Sequence, residues 1–106
     1  MIDFEKIKAL SNEIARQFNP MKVILFGSYA YGKPDEYSDV DLLVIMPFKG
    51  RGMNKAAEIL EKTNPVFPVE ILVRTPEDMD TRLKWNDFFL REIVEKGEIL
   101  YESARS

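Results

Sequence analysis

Asp39 and Asp41 stand two residues apart in the segment Ser38-Asp39-Val40-Asp41-Leu42. Side chains alternate faces along a strand, so both carboxylates point the same way, with Cα atoms ~6.6 Å apart at ~3.3 Å per residue. Carboxylates so placed can converge on a hard cation, the way Mg²⁺ is held beside substrate phosphates. Upstream, Gly27-Ser28 closes the apolar run Lys22–Phe26. Such a step offers backbone N–H groups and a hydroxyl to a polyphosphate, and glycine lets the backbone come close. Downstream, Glu70 interrupts the run Val66–Val73. An acid within so apolar a strand needs a partner or a cation if it is buried. If that strand lies beside the one bearing Asp41, Glu70 completes a cluster of three carboxylates that repel one another, and a divalent metal relieves them.

Composition narrows the chemistry to the same groups. The chain of 106 residues has no cysteine and no histidine. Disulfides, thiolate nucleophiles, iron–sulfur clusters and most structural zinc sites are excluded, as are imidazole acid–base catalysis and Ser-His-Asp chemistry. Carboxylates, hydroxyls, Lys and Arg remain, and any metal must accept oxygen ligands. The formal charge of −3 argues against a sequence-indifferent nucleic-acid binder, which carries a basic surplus. No apolar run approaches the ~18 residues that span a bilayer, and Met1-Ile2-Asp3-Phe4-Glu5 does not read as a signal peptide. The expectation is a soluble cytoplasmic protein with no membrane partner, folded as a single domain over 1–106.

The elements that must position these groups follow from periodicity. Ile7, Leu10, Ile14 and Phe18 fall on one face of a helix over 3–18, with Asp3 as cap and Asn19-Pro20 as stop. Lys22–Phe26 and Val40–Met46 read as strands covered on both faces. Residues 27–38 form a loop with room for a short helical turn. Met53, Ala56, Ala57 and Leu60 give the stripe of a second helix, ended by Asn64-Pro65. Val66–Val73 is a third strand. Thr75-Pro76-Glu77-Asp78 starts a helix that runs to Lys96 with a break near Trp85-Asn86, and Gly97 is expected to end it in a left-handed cap. Ile99-Leu100-Tyr101 can add an edge strand, and Ser103–Ser106 is expected to fray. The order α-β-loop-β-α-β-α-(β) is that of a small α/β or α+β sheet with helices packed on it.

Each feature also has a structural reading. An Asp-x-Asp pair can be a solvated strand end, Gly-Ser a simple turn, and Glu70 an edge-strand charge that discourages aggregation. Trp85, Phe88, Phe89 and Ile93 are read as core or a partner-facing surface rather than a base-stacking platform. Lys49, Arg51 and Lys55 form a solvated loop or, alternatively, one that closes over nucleotide phosphates. Tyr29, Tyr31 and Tyr37 surround the motif loop and either cover the sheet or stack on an adenine.

Gly27-Ser28 followed by Ser38-Asp39-Val40-Asp41-Leu42 resembles the signature of the DNA polymerase beta-like nucleotidyltransferase superfamily. The nearest likeness is to its minimal single-domain members, encoded beside HEPN-domain partners as toxin–antitoxin pairs. The likeness extends from the initial helix to the closing segment at 89–101. It implies a palm-like core, a small mixed sheet flanked by helices. By the same resemblance Asp39 and Asp41 bind two Mg²⁺ ions, Glu70 joins one ion and helps activate the attacking hydroxyl, and Gly27 and Ser28 hold the triphosphate. The implied reaction transfers AMP from ATP to a hydroxyl with release of pyrophosphate. Where many minimal members carry Ala-Arg-Gly, this chain has Ala30-Tyr31-Gly32, which leaves Lys33 as the nearby cation for phosphate, a point charge rather than a bidentate fork. The third acid is Glu where Asp is commoner. A chain of this size has room for the catalytic core alone, so the acceptor arrives on a partner, by resemblance the Tyr hydroxyl of a HEPN-type toxin. The alternative is a weak or inactive relative that neutralises that partner by binding. A homo-oligomer stays open.

Overall fold

The computed structural model describes residues 1–104. Four strands, β1 (Lys22–Phe26), β2 (Val40–Ile45), β3 (Val69–Arg74) and β4 (Glu98–Glu102), form one sheet in the order β3-β2-β1-β4. β1 pairs antiparallel with β2 and with β4, whereas β2 and β3 run parallel, so the sheet is mixed. The central pair is covered on both faces, as its unbroken apolar runs require. On one face α1 (Phe4–Phe18) and α3 (Gly52–Thr63) enclose Val23, Leu25, Leu42 and Val44; on the other, α4 (Pro76–Lys84) and α5 (Phe88–Lys96) enclose Ile24, Phe26, Leu43 and Ile45. A short turn of helix, α2 (Ser28–Tyr31), follows β1. Among the described residues no helix is long and apolar enough to cross a membrane.

Local chemistry explains most of the boundaries. α1 buries Ile7, Leu10 and Ile14 as its spacing predicts, and Asn19 ends it in the left-handed conformation (φ 50°), its N–H donating to Ala15 O. Asp3 occupies the cap position, but its side chain accepts no capping hydrogen bond. Thr75 Oγ1 accepts from Asp78 N at 3.1 Å, with Pro76 opening α4. The expected break falls where Asn86 turns to φ 59°, and Asp87 Oδ1 then caps α5 by accepting from Leu90 N at 3.1 Å.

Four expectations are corrected. β3 starts at Val69 rather than Val66, which is 89% exposed. Pro65 and Pro68 bracket that stretch and supply no N–H, although Pro68 O accepts from Val40 N at 3.1 Å and opens the parallel ladder. In α3 the buried positions are Ala56 and Ile59, while Met53 and Ala57 face solvent. With Leu60 packed against the same core, the inward face of the helix is centred on Ala56, Ile59 and Leu60 rather than on the line of Met53 and Ala57. Of the expected frayed tail, Ser103 is tied to the sheet by its N–H to Met21 O (2.8 Å), and residues 105 and 106 lie outside the described part.

Gly97 is not left-handed. It sits at φ −67°, ψ 161°, with its N–H donating to Ile93 O. The need for glycine is steric: a Cβ there would overlap Ile93 O, approach Ile24 Cγ2 to 2.6 Å and stand 2.9 Å from Leu25 O. α5 thus passes into β4 in contact with the β1 backbone. Gly97→Ala, whose backbone angles suit alanine, is expected to lose about 1–3 kcal/mol through overpacking alone. Urea unfolding measures it, and a loss under about 0.5 kcal/mol would show that the helix–strand junction yields freely.

Candidate active site

Strand register brings the candidate acids together. Asp41 is the second residue of β2; it lies opposite Phe26 of β1 on one side and Glu70 of β3 on the other. Asp39 precedes the strand by one residue and shares the face of Asp41, Leu43 and Ile45 by alternation. This is the face covered by α4 and α5 further along the sheet. Asp39 and Glu70 are exposed and Asp41 is half-buried. Burial, then the neighbouring charges of Glu70 and Asp39, push the Asp41 carboxyl up from 3.8 to about 6. None of the three acids forms an ion pair among the described residues. Nor is any group of three or more acids there drawn up at metal-ligating separation. A cation among the three would relieve the repulsion that, after burial, raises the Asp41 carboxyl. The donor set, all carboxylate oxygen in a place short of positive charge, suits Mg²⁺ or another hard divalent ion.

Gly27 is bound to this cluster by two constraints. Its φ of 74° favours glycine, and a Cβ would overlap Asp41 Oδ2. The end of β1 therefore presses against the central acid, and Ser28 follows as the first residue of α2. Lys33 lies exposed beyond α2 and forms no ion pair among the described residues. The structure thus groups Asp39, Asp41, Glu70, Gly27 and Ser28 and leaves Lys33 in solvent at the rim.

The loop before Asp39 holds a feature that sequence reasoning passed over. Asp35 Oδ1 accepts from Tyr37 N at 2.8 Å and from the Ser38 hydroxyl at 3.2 Å, while Ser38 Oγ accepts from Asp35 N at 3.0 Å. Ser38 N donates back to Asp35 O at 3.1 Å. This closed turn fixes the residue immediately before Asp39. The Asp-x-x-Ser spacing was its available signal, since these side chains commonly bond the backbone two or three residues on.

Other candidates fall elsewhere. Tyr29 packs on the α1/α3 core, and its hydroxyl accepts from Ile2 N at 3.0 Å, so it covers the sheet. Tyr37 is 84% exposed. Lys49 and Arg51 follow the far end of β2, so the idea that their loop closes over phosphates at the acids is corrected. Asp41 to Ile45 alone spans roughly 13 Å of strand. Lys55 instead pairs with Glu58 at 2.9 Å and lies over the Phe18 ring. A cavity of about 350 Å³ near that loop is lined by Phe48, Arg74, Asp78 and Arg82, but both guanidiniums already engage Asp78.

Comparison with known proteins shows the family of the chain. The nucleotidyltransferase domain family matches residues 7–100. A protein of Methanocaldococcus jannaschii named as a protein adenylyltransferase is 32% identical over 81 residues, 76% of this chain and 77% of the relative. Among solved structures, a nucleotidyltransferase from Sulfolobus solfataricus superimposes with a TM-score of 0.65 at 18% identity, covering 96% of this chain and 82% of the other. A toxin-antitoxin structure with AMP-PNP gives 0.56 at 18% identity, over 98% and 77%.

The raised Asp41 carboxyl fixes a sign for stability. Its folded form binds the proton more tightly than the unfolded chain, so its contribution is greatest below pH about 4, falls as the pH rises through about 6, and then levels. Without divalent metal, Asp41→Asn is expected to melt higher than the parent above pH 6 and like it near pH 4. Added Mg²⁺ should raise the parent's melting temperature at pH 7.5, in a buffer chosen at roughly that pH, and leave the variant's unmoved. Thermal melts across pH check both statements. Asp35→Ala should weaken that Mg²⁺ effect about tenfold in concentration, with Asp35→Asn retaining most of it; equal Mg²⁺ response in all three would remove the turn from the site.

Proposed function

The chain belongs to the nucleotidyltransferase domain family and is a nucleotidyltransferase, and from that premise we propose that it transfers AMP from ATP to a tyrosine hydroxyl of a HEPN-type toxin, acting as the antitoxin. The observation that carries the reading is the register Phe26–Asp41–Glu70, which sets three carboxylates beside the Gly27-Ser28 step. The name of the M. jannaschii relative supports a protein acceptor, and the toxin-antitoxin chain of like fold supports a toxin.

The residues divide the work as follows. Gly27 and Ser28 hold the β- and γ-phosphates at the end of β1, and Lys33 at the rim adds a mobile positive charge. Asp39 and Asp41 would hold the divalent cation whose positive charge the α-phosphate needs. Glu70 lies on the edge strand, exposed, where a bulky acceptor can enter and where the extra methylene has room. The acceptor oxygen forms a bond to the α-phosphorus as the bond from that phosphorus to the β-phosphate bridging oxygen breaks. Pyrophosphate leaves with that bond's electron pair, and the hydroxyl proton passes to the Glu70 carboxylate and then to water. Asp39, Asp41 and Glu70 would hold Mg²⁺, which would supply charge neutralisation for the phosphates and ease loss of the acceptor proton.

The test uses labelled ATP, Mg²⁺ and the purified partner. Label is expected on the partner, and Asp39→Asn should lower its rate by about a hundredfold or more, at tenfold per 1.36 kcal/mol of barrier. A partner left unlabelled yet still neutralised would overturn the enzymatic reading and leave neutralisation by binding.

A further inference from the structure

In-line displacement fixes three directions at the α-phosphorus. The acceptor oxygen and the leaving oxygen are collinear with it, and the nucleoside must depart from that line. On the function proposed above, upon which this inference rests, the acceptor enters over Glu70 on β3 and pyrophosphate leaves beside Gly27-Ser28. The nucleoside is then directed away from both, over the sheet face that carries the acids. The first side chain on that face beside Asp41 is its register partner Phe26, with Cα atoms roughly 5 Å apart. Phe89, the second residue of α5, lies against Phe26 with ring centroids 5.8 Å apart and planes at 87°.

Phe26 is buried, but Phe89 is 54% exposed. In a perpendicular ring pair Phe89 offers Phe26 either an edge or one face, so at least one of its faces is open. The core beneath is already filled by Leu90 and Ile93 of the same helix. The ring is therefore steadied from below and free above, one ring beyond the register partner of Asp41. Tyr29 is committed to the opposite face through its core contacts and its bond from Ile2. Tyr31, 36% exposed at the end of α2, and Tyr37, on the clasped turn, are the rival rings.

We propose that the open face of Phe89 is the stacking platform for the nucleobase of the bound nucleotide, steadied by Phe26 and reached from the acid end of β2. The apolar stripe at 85–93 thus divides. Ile93 serves the core, and Phe89 serves the ligand.

Calorimetric titration with ATP and with inorganic tripolyphosphate, both with Mg²⁺, separates base from phosphate recognition. Phe89→Leu keeps an apolar contact on Phe26 and removes the ring. It is expected to weaken ATP about tenfold or more, the range of base–aromatic stacking, and to leave tripolyphosphate unchanged. Phe89→Tyr should bind ATP like the parent, and Tyr37→Leu should as well. In a Trp85→Phe background, Phe89→Trp should show emission quenched by ATP and not by tripolyphosphate, which gives an answer even if Phe89→Leu folds poorly. Unchanged ATP affinity in Phe89→Leu, or a Trp signal blind to ATP, overturns the platform. Loss of affinity in Tyr37→Leu instead would move the base to the turn. Slower transfer at unchanged ATP affinity would place Phe89 on the acceptor side, and overturns the proposal too. If the parent binds neither ATP nor tripolyphosphate, the proposed function itself has failed, and this inference falls with it.

Discussion

Strand β2 is buried on both faces from Leu42 through its last residue, and this decides where acids can stand. A carboxylate within that stretch would lose its hydration with nothing to replace it. Only the opening of the strand is wet enough for ionised groups, and Asp39 and Asp41 occupy it. The neighbours then follow from pairing. Antiparallel β1 brings Phe26 and Gly27 to the same end, and parallel β3 brings Glu70. Each of these contacts is made across strands distant in sequence, so the site exists only once the sheet has formed.

The same placement works against stability. Asp41 is pressed between Gly27 and two other carboxylates, and its carboxyl rises because the charged form is disfavoured there. A fold optimised for stability alone would carry an amide or an aliphatic residue at that position. Departures of this kind from local preference gather at functional sites, where the surrounding structure holds what the isolated segment would not. The well-packed central strands, with Leu25, Leu42, Leu43 and Val44 fully buried, provide that support.

Much of this was legible in the sequence because the relevant physics is local. The α1 stripe, the Asp-x-Asp alternation, the Thr75-Pro76 helix start and the two-faced strands all depend on periods of a few residues. What was hidden depends on distant partners. Gly97 looked like a helix stop of the usual handedness, but a side chain there is excluded by Ile93 O together with Ile24 and Leu25, some seventy positions earlier. The loop with Lys49 and Arg51 looked mobile and basic enough to serve phosphates; only the direction of β2 shows that it lies at the wrong end. In α3, how the helix lies against the sheet decides which apolar residues meet the core, and it places Ile59 inward and leaves Met53 exposed. Asp35 was local and still passed over, since its role shows only through hydrogen bonds within one turn.

Glu70 had two readings, an edge-strand charge and a member of the acid cluster, and the sheet makes them one. β3 is an edge of the sheet, where unpaired backbone groups invite another strand and a charge discourages it. Further along this edge Arg74 Nη1 donates to Val73 O at 3.1 Å, and on the opposite edge Lys8 Nζ donates to Leu100 O. Among the described residues no side chain covers the backbone of Val69 or Glu70 in this way. The edge is thus guarded at Val73 and open at Val69 and Glu70, where the proposed acceptor would enter. A carboxylate at that opening repels a stray strand and, on the proposed function, would also receive the acceptor's proton. For that reason the third acid sits on the edge strand, while the first two sit at the mouth of a buried one.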